Sequence, residues 1–197
     1  MMRKLFALLL ASMVSLCAMT VMASSALAED ASESYALSKR WYIEGQISMS
    51  IITDKIDTSM FAETFGFSVT AGYGVSKNMM IIITLEQNNW KRNEHGGKWD
   101  PGVFNAGVGM LYQVFAPHIF IRASAGTSTL TFNSPLDSAG ETGAYIDFVP
   151  VEIHWQPIDD LILALRPLSI HFDAPVISDP GIHYVQYRTS FSVGYLF

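Results

Sequence analysis

The sequence predicts an all-β chain: an eight-stranded antiparallel up-and-down transmembrane β-barrel. Three observations carry that expectation. Apolar and polar residues alternate with a period of two through much of residues 40–197, the mark of strands whose two faces meet unlike surroundings. The polar stretches between these segments alternate between long and short, as an up-and-down meander with both ends on one side requires. Half of all residues are apolar. Yet after the first 28 residues no apolar run approaches the ~20 residues of a membrane helix.

The last stretch shows the alternation most clearly. Val185, Tyr187, Thr189, Phe191, Val193, Tyr195 and Phe197 share one phase; Tyr184, Gln186, Arg188, Ser190, Ser192, Gly194 and Leu196 share the other. One face is greasy, and the other is mostly small or polar and carries an arginine. That is the pattern of a strand with lipid outside and a polar lumen inside.

The first 28 residues read as a secretory signal peptide. Arg3 and Lys4 form a positive start, residues 5–14 form a short apolar core, and Ala26 and Ala28 place small residues before a cleavage point after Ala28. The expected division is 1–28 signal, 29–39 polar periplasmic lead-in and 40–197 barrel. Cys17, the one cysteine, falls inside the signal, so the mature chain would hold neither a disulfide nor a thiolate metal site. Loss of the signal takes the formal charge from −6 to −8. An acidic chain lacks the phosphate-neutralising surplus on which nucleic-acid binding depends.

Taken in order, the first strand is expected over residues 40–52, with Trp41, Ile43, Ile47, Met49 and Ile51 opposing Glu44, Gln46, Ser48 and Ser50. A polar loop follows over 53–60. The second strand, 62–75, sets Phe65, Phe67, Val69, Ala71 and Tyr73 against small residues, which suit a narrow lumen. Ser76, Lys77 and Asn78 make a tight turn. The third strand, 79–88, is more uniformly apolar but keeps Thr84 and Glu86 on one face. A long charged loop over 89–102 comes next.

The fourth strand, 103–115, alternates from Phe104 to Val114, and Ala116-Pro117 turns the chain. The fifth, 118–132, places Phe120, Arg122, Ser124 and Ser128 on its inner phase; residues 133–142 are read as a loop. The sixth, 143–155, and the seventh, 161–172, each hold a proline. The phase of alternation slips by one residue at Pro150 and at Pro167, which predicts a β-bulge at each. The strands are long enough for the about 9–11 residues of a tilted transmembrane strand. Aromatics gather near the strand ends, with Trp41, Tyr73, Phe115, Trp155, Tyr195 and Phe197 on the short-turn side and Phe104, Phe132, Tyr145 and Phe172 on the other, as in interfacial girdles.

On these residues the chain resembles the small eight-stranded outer-membrane barrels, the OmpA/OmpX-like group. The resemblance spans about residues 40–197 and includes the terminal Tyr195-Leu196-Phe197. It implies a bacterial outer-membrane location, contact with outer-membrane lipids and lipopolysaccharide, and recognition by the barrel-assembly machinery. Phe191, Val193, Tyr195 and Phe197 would be the assembly signal.

The inner phases collect Glu44, Glu86, Arg122, Asp147, Glu152, His154, Arg166, His171 and Arg188. One reading is a plug of mutually paired charges, because an unpaired buried charge is costly. A second is a gated channel for small solutes. A third is catalysis, with Glu152 orienting His154 as a base, though no nucleophile stands at a recognisable spacing. Among lipid A-modifying barrels, the deacylase type would want a His-x-Ser pair, and neither His118 nor His171 has one. The palmitoyltransferase type (PagP-like) shares late strand-loosening prolines, but residues 29–39 are too short and polar for its leading helix. The expectation is therefore a non-enzymatic barrel without cofactor or metal. His95 and Asp100 fall in one loop by this reading, Asp173 and Asp179 in another, and they show no ligand spacing. Trp90, Lys91, Arg92 and Trp99 on the long loop are the candidates for contact with an extracellular partner.

Overall fold

A computed structural model describes residues 37–53, 63–90, 101–115, 118–132, 134–177 and 182–197. The expected signal peptide and most of the expected lead-in lie outside the described residues. So do the contact candidates Lys91, Arg92 and Trp99, and the side chain of Trp90.

Eight antiparallel strands close into one barrel, each paired with its sequence neighbours and β1 with β8. They are β1 (Trp41–Thr53), β2 (Glu63–Ser76), β3 (Met79–Trp90), β4 (Pro101–Phe115), β5 (Ile119–Phe132), β6 (Ser134–Ile158), β7 (Leu161–Val176) and β8 (Ile182–Leu196). Closure pairs Ile43 with Tyr195 and Ile47 with Phe191, and the Phe197 amide donates to the Trp41 carbonyl at 2.8 Å. Among the described residues no sheet edge is left unpaired, so each of the eight strands finds its backbone partners within the ring.

The phase read from the sequence is the phase observed. Trp41, Ile43, Phe65, Phe67, Ile83, Leu85, Met110, Phe148, Phe191 and Val193 are exposed on the outside, while Glu44, Ser68, Glu86, Asn105, Arg122 and Arg188 are buried inside. An outer wall of this kind suits hydrocarbon, since lipid contributes no hydrogen bonds and asks for none.

Both predicted bulges are present. Between Phe148↔Ile170 and Val151↔Leu168 the register of β6 against β7 shifts at Pro150, and β7 shifts against β8 between Arg166 and Ser169, around Pro167. Proline has no amide hydrogen to give the ladder, so the extra residue is accommodated where a donor is missing anyway.

Four expectations need correction. Residues 134–142 were expected as loop but belong to β6, which runs 25 residues. Their pairing with β5 is irregular, Thr131 opposing Ser138 and Phe132 opposing Ser134, so turn-forming residues sit inside a bulged ladder. Asp173 was expected in a loop, but β7 continues to Val176 and buries that carboxylate in the lumen. Tyr145 was placed in the outer girdle; it is 3 % exposed and points inward. Finally, the lumen is not polar throughout. Leu37, Tyr42, Met80, Ile82, Leu111, Phe120, Ile162 and Leu196 form a buried apolar cluster inside it.

Candidate functional site

The candidate site is the lumen itself. Eight strands leave an interior that side chains can just fill, so each inward residue meets residues from across the ring.

One end of the barrel carries the Lys77-Asn78 and Asp159-Asp160 turns and the ends of β1 and β8; it is called the turn end here, and the opposite end the loop end. The apolar cluster closes the turn end. It is followed by a first ionic cluster, joined to it through two contacts. Tyr42 donates its hydroxyl to Glu44, and Phe120 stacks on His154 with ring centroids 4.1 Å apart.

In this first cluster two arginines share two carboxylates. Arg122 donates from Nε to Glu152 Oε2 at 2.9 Å and from Nη2 to Glu44 Oε2 at 3.1 Å. Arg166 Nη2 lies 2.6 Å from Glu44 Oε2 and 2.8 Å from Glu152 Oε1, and Arg166 also donates to Gln46. His154 Nε2 sits 2.7 Å from Glu152 Oε1. The four charged side chains come from β1, β5, β6 and β7, and each is at most 4 % exposed. Charges taken this far out of water persist only where paired and hydrogen-bonded.

A second ionic cluster lies toward the loop end. Arg188 Nη1 is 2.8 Å from both oxygens of Glu86 and its Nε donates to Gln186 Oε1 at 3.0 Å. His171 stands between two acids, Nδ1 3.1 Å from Asp147 Oδ1 and Nε2 2.9 Å from Asp173 Oδ1. Asp173 also accepts from Ser128 Oγ at 3.2 Å and Gln186 Nε2 at 3.0 Å. Tyr145 stacks on the His171 ring at 5.2 Å. Beyond it Val103, Leu130 and Tyr184 make a smaller apolar layer, with Ile52 and Val176 against it.

Between the two ionic clusters is a void of about 20 Å³, lined by Gln46, Glu86, Arg122, Asp147, Arg166 and Arg188 among others. That is room for about one water molecule.

All nine titratable lumen candidates read from the sequence thus point inward. The structure sorts them into two sets: Glu44, Arg122, Glu152, His154 and Arg166 in one, Glu86, Asp147, His171 and Arg188 in the other. Asp173 completes the second set. Sequence reasoning missed Asp173 because Asp-Ala-Pro reads as a turn; its even spacing from His171 was the available signal. It also missed the apolar cluster, although Met80, Ile82, Leu111, Phe120 and Leu196 all lie on the inner phase. Phe191, Val193, Tyr195 and Phe197 all face outward and are exposed.

Glu152 and His154 are paired within the first cluster. Both guanidinium groups hold the carboxylate, and among the described residues no hydroxyl or thiol bonds to His154. No group of His, Cys, Asp and Glu among them could hold a metal ion.

No family model matches the chain, and no curated protein matches it in sequence. Solved structures do match in fold. Neisserial surface protein A aligns with a TM-score of 0.60 at 10 % identity, covering 80 % of this chain and 97 % of its own. Ail, the attachment invasion locus protein of Yersinia pestis, aligns with a TM-score of 0.55 at 12 % identity, covering 81 % and 99 %. Ail in complex with the heparin analogue sucrose octasulfate aligns at 0.53 and 13 % identity, over the same shares. The chain therefore has the fold of these small eight-stranded barrels over about four fifths of its length.

Proposed function

We propose that this chain is an integral β-barrel of a bacterial outer membrane whose work is done at its surface, in membrane integrity, adhesion or ligand contact through its loops, and not by passage through its lumen. The lumen carries the proposal. Two apolar layers and two ionic clusters occupy it in series, and the void between the clusters holds about one water. A steady aqueous path would need those layers to part. The same void is far too small for an acyl chain, which counts against a lipid A-modifying (PagP-like) activity, despite the ladder breaks at Pro150 and Pro167. We therefore read the protein as non-enzymatic, without cofactor.

The belt of outward apolar side chains would meet outer-membrane lipids, and its outer rim lipopolysaccharide. Phe191, Val193, Tyr195 and Phe197, lined up on the outside of β8, would be offered to the barrel-assembly machinery. Residues 54–62 and 91–100 would be the contact loops, on the precedent that rigid scaffolds present binding loops. Trp90, Lys91, Arg92 and Trp99 would be the first to touch an extracellular partner. Ail, with a like fold, was solved with a polysulfated ligand; Lys91 and Arg92 are the residues here that would suit an anionic one.

Cells producing the protein, and cells producing a variant with residues 91–98 replaced by a short Gly-Ser linker, provide the test. Outer-membrane fractions should contain both, folded to the same extent. Binding to extracellular-matrix or heparin-coated surfaces should be present for the parent and lost for the variant. Recovery of the parent in the soluble fraction would overturn the location, and equal binding by both chains would overturn the role of the loop.

A further inference from the structure

The four residues just ahead of β1, 37–40, do more than lead into the barrel. Leu37 precedes the first strand, yet it is 2 % exposed and belongs to the apolar cluster that closes the turn end. Lys39 has a positive φ of 62°, a left-handed residue that turns the incoming chain back over the mouth. The strap is then fastened on both sides. The Leu37 amide donates to the Lys77 carbonyl at 3.2 Å, and the Lys39 amide to the Gly74 carbonyl at 2.8 Å. On the opposite flank Arg40 donates to the Leu196 carbonyl at 3.0 Å and pairs with Asp160.

Residue 74 is fitted to this strap. A Cβ built on Gly74 would stand 1.6 Å from the Leu37 carbonyl oxygen, so any side chain there would expel the strap. The neighbouring residue, Val75, faces outward and leaves it free. Gly74 therefore serves the close approach of one backbone to another.

We propose that residues 37–40 form a latch that locks the closed barrel at its turn end and sets how slowly it opens, without taking part in how it assembles. The fastening points explain why. They lie on the β2–β3 turn, at the end of β8 and on the β6–β7 turn, and the Leu37 cluster draws on β1, β3, β4, β5, β7 and β8. These surfaces are brought together only when β8 has paired with β1, so the latch seats after the ring closes. Contacts made after the rate-limiting step of folding slow unfolding and leave the folding rate alone.

The test compares the parent with Leu37→Ser, Gly74→Ala and the double variant. Each is folded into phosphatidylcholine vesicles and then jumped into urea, with folded and unfolded bands separated on an unboiled gel. Each single variant should unfold about tenfold faster or more, with its folding rate within about twofold of the parent. The double variant should unfold no faster than the faster single one, because both changes remove the same contact. The latch is overturned if Leu37→Ser unfolds at the parent's rate. It is also overturned if folding slows as much as unfolding quickens, or if the two effects multiply. Should Gly74→Ala fail to fold, Arg40→Ala takes its place as a single variant: it should speed unfolding and leave the folding rate within about twofold, and a parent-like unfolding rate overturns the latch.

Discussion

Arg166 and Glu44 meet inside the barrel, the Nη2 of the first 2.7 Å and 2.6 Å from the two carboxylate oxygens of the second. They are 122 positions apart in the chain and sit on β7 and β1, strands that are not neighbours in the ring. The pair thus bridges over β8 inside the lumen, and Arg122 from β5, opposite β1 in the ring, carries the set across to Glu44 and Glu152.

Glu44→Gln removes one charge from that set and leaves two buried guanidinium groups with a single carboxylate. Breaking a buried pair from one side costs about 3–5 kcal/mol. Equilibrium urea unfolding in vesicles should show a loss of that size, with the barrel still able to fold.

The Glu86–Arg188 pair offers the complementary case. Glu86→Met alone, or Arg188→Met alone, should each destabilise by about 3–5 kcal/mol. The double replacement should recover most of the loss, because neither member of the pair is left without the other and methionine fills irregular space. The same unfolding assay on all three chains reads the coupling.

The apolar layer at the turn end is a packed core in its own right. Leu111, from β4, is 1 % exposed within it. Leu111→Ala should cost about 2–5 kcal/mol from lost contacts and the cavity left behind. Since the ionic clusters still block the lumen above it, the variant should gain no conductance.

Lipid-facing positions should respond to charge and not to size. Phe67 on β2 is 52 % exposed on the outer wall. Phe67→Arg should cost about 2–4 kcal/mol, the penalty of arginine at mid-bilayer depth, whereas Phe67→Leu should cost little. Folding titrations into vesicles would separate the two.

Much of this architecture was legible before any coordinates. Alternation placed Trp41, Phe67, Ile83 and Val193 outside and Glu44, Glu86, Arg122 and Arg188 inside, because a period of two is all that a strand allows. The slips at Pro150 and Pro167 marked the bulges for the same reason. What alternation could not show was how far pairing runs past a turn-like sequence, so residues 134–142 and Asp173 were read as loops. Nor could it show that a face of mixed chemistry is sorted along the barrel axis. Met80 and Ile82 lie on the same inner phase as Glu86, but they sit lower in the ring, where residues from six other positions make a dry layer. That sorting depends on strand tilt and register, which join residues from distant parts of the chain. The strap was invisible for a related reason: Leu37 gains its partners only once the barrel has closed.

The most direct test is single-channel recording across a planar bilayer with protein that runs as the folded, heat-modifiable species. A lumen closed by two apolar layers and two ionic clusters predicts a flat baseline at every applied voltage, for the parent and for Leu111→Ala alike. Reproducible unit openings by the parent, abolished by boiling the sample, would contradict it and show that solutes cross the lumen between those side chains.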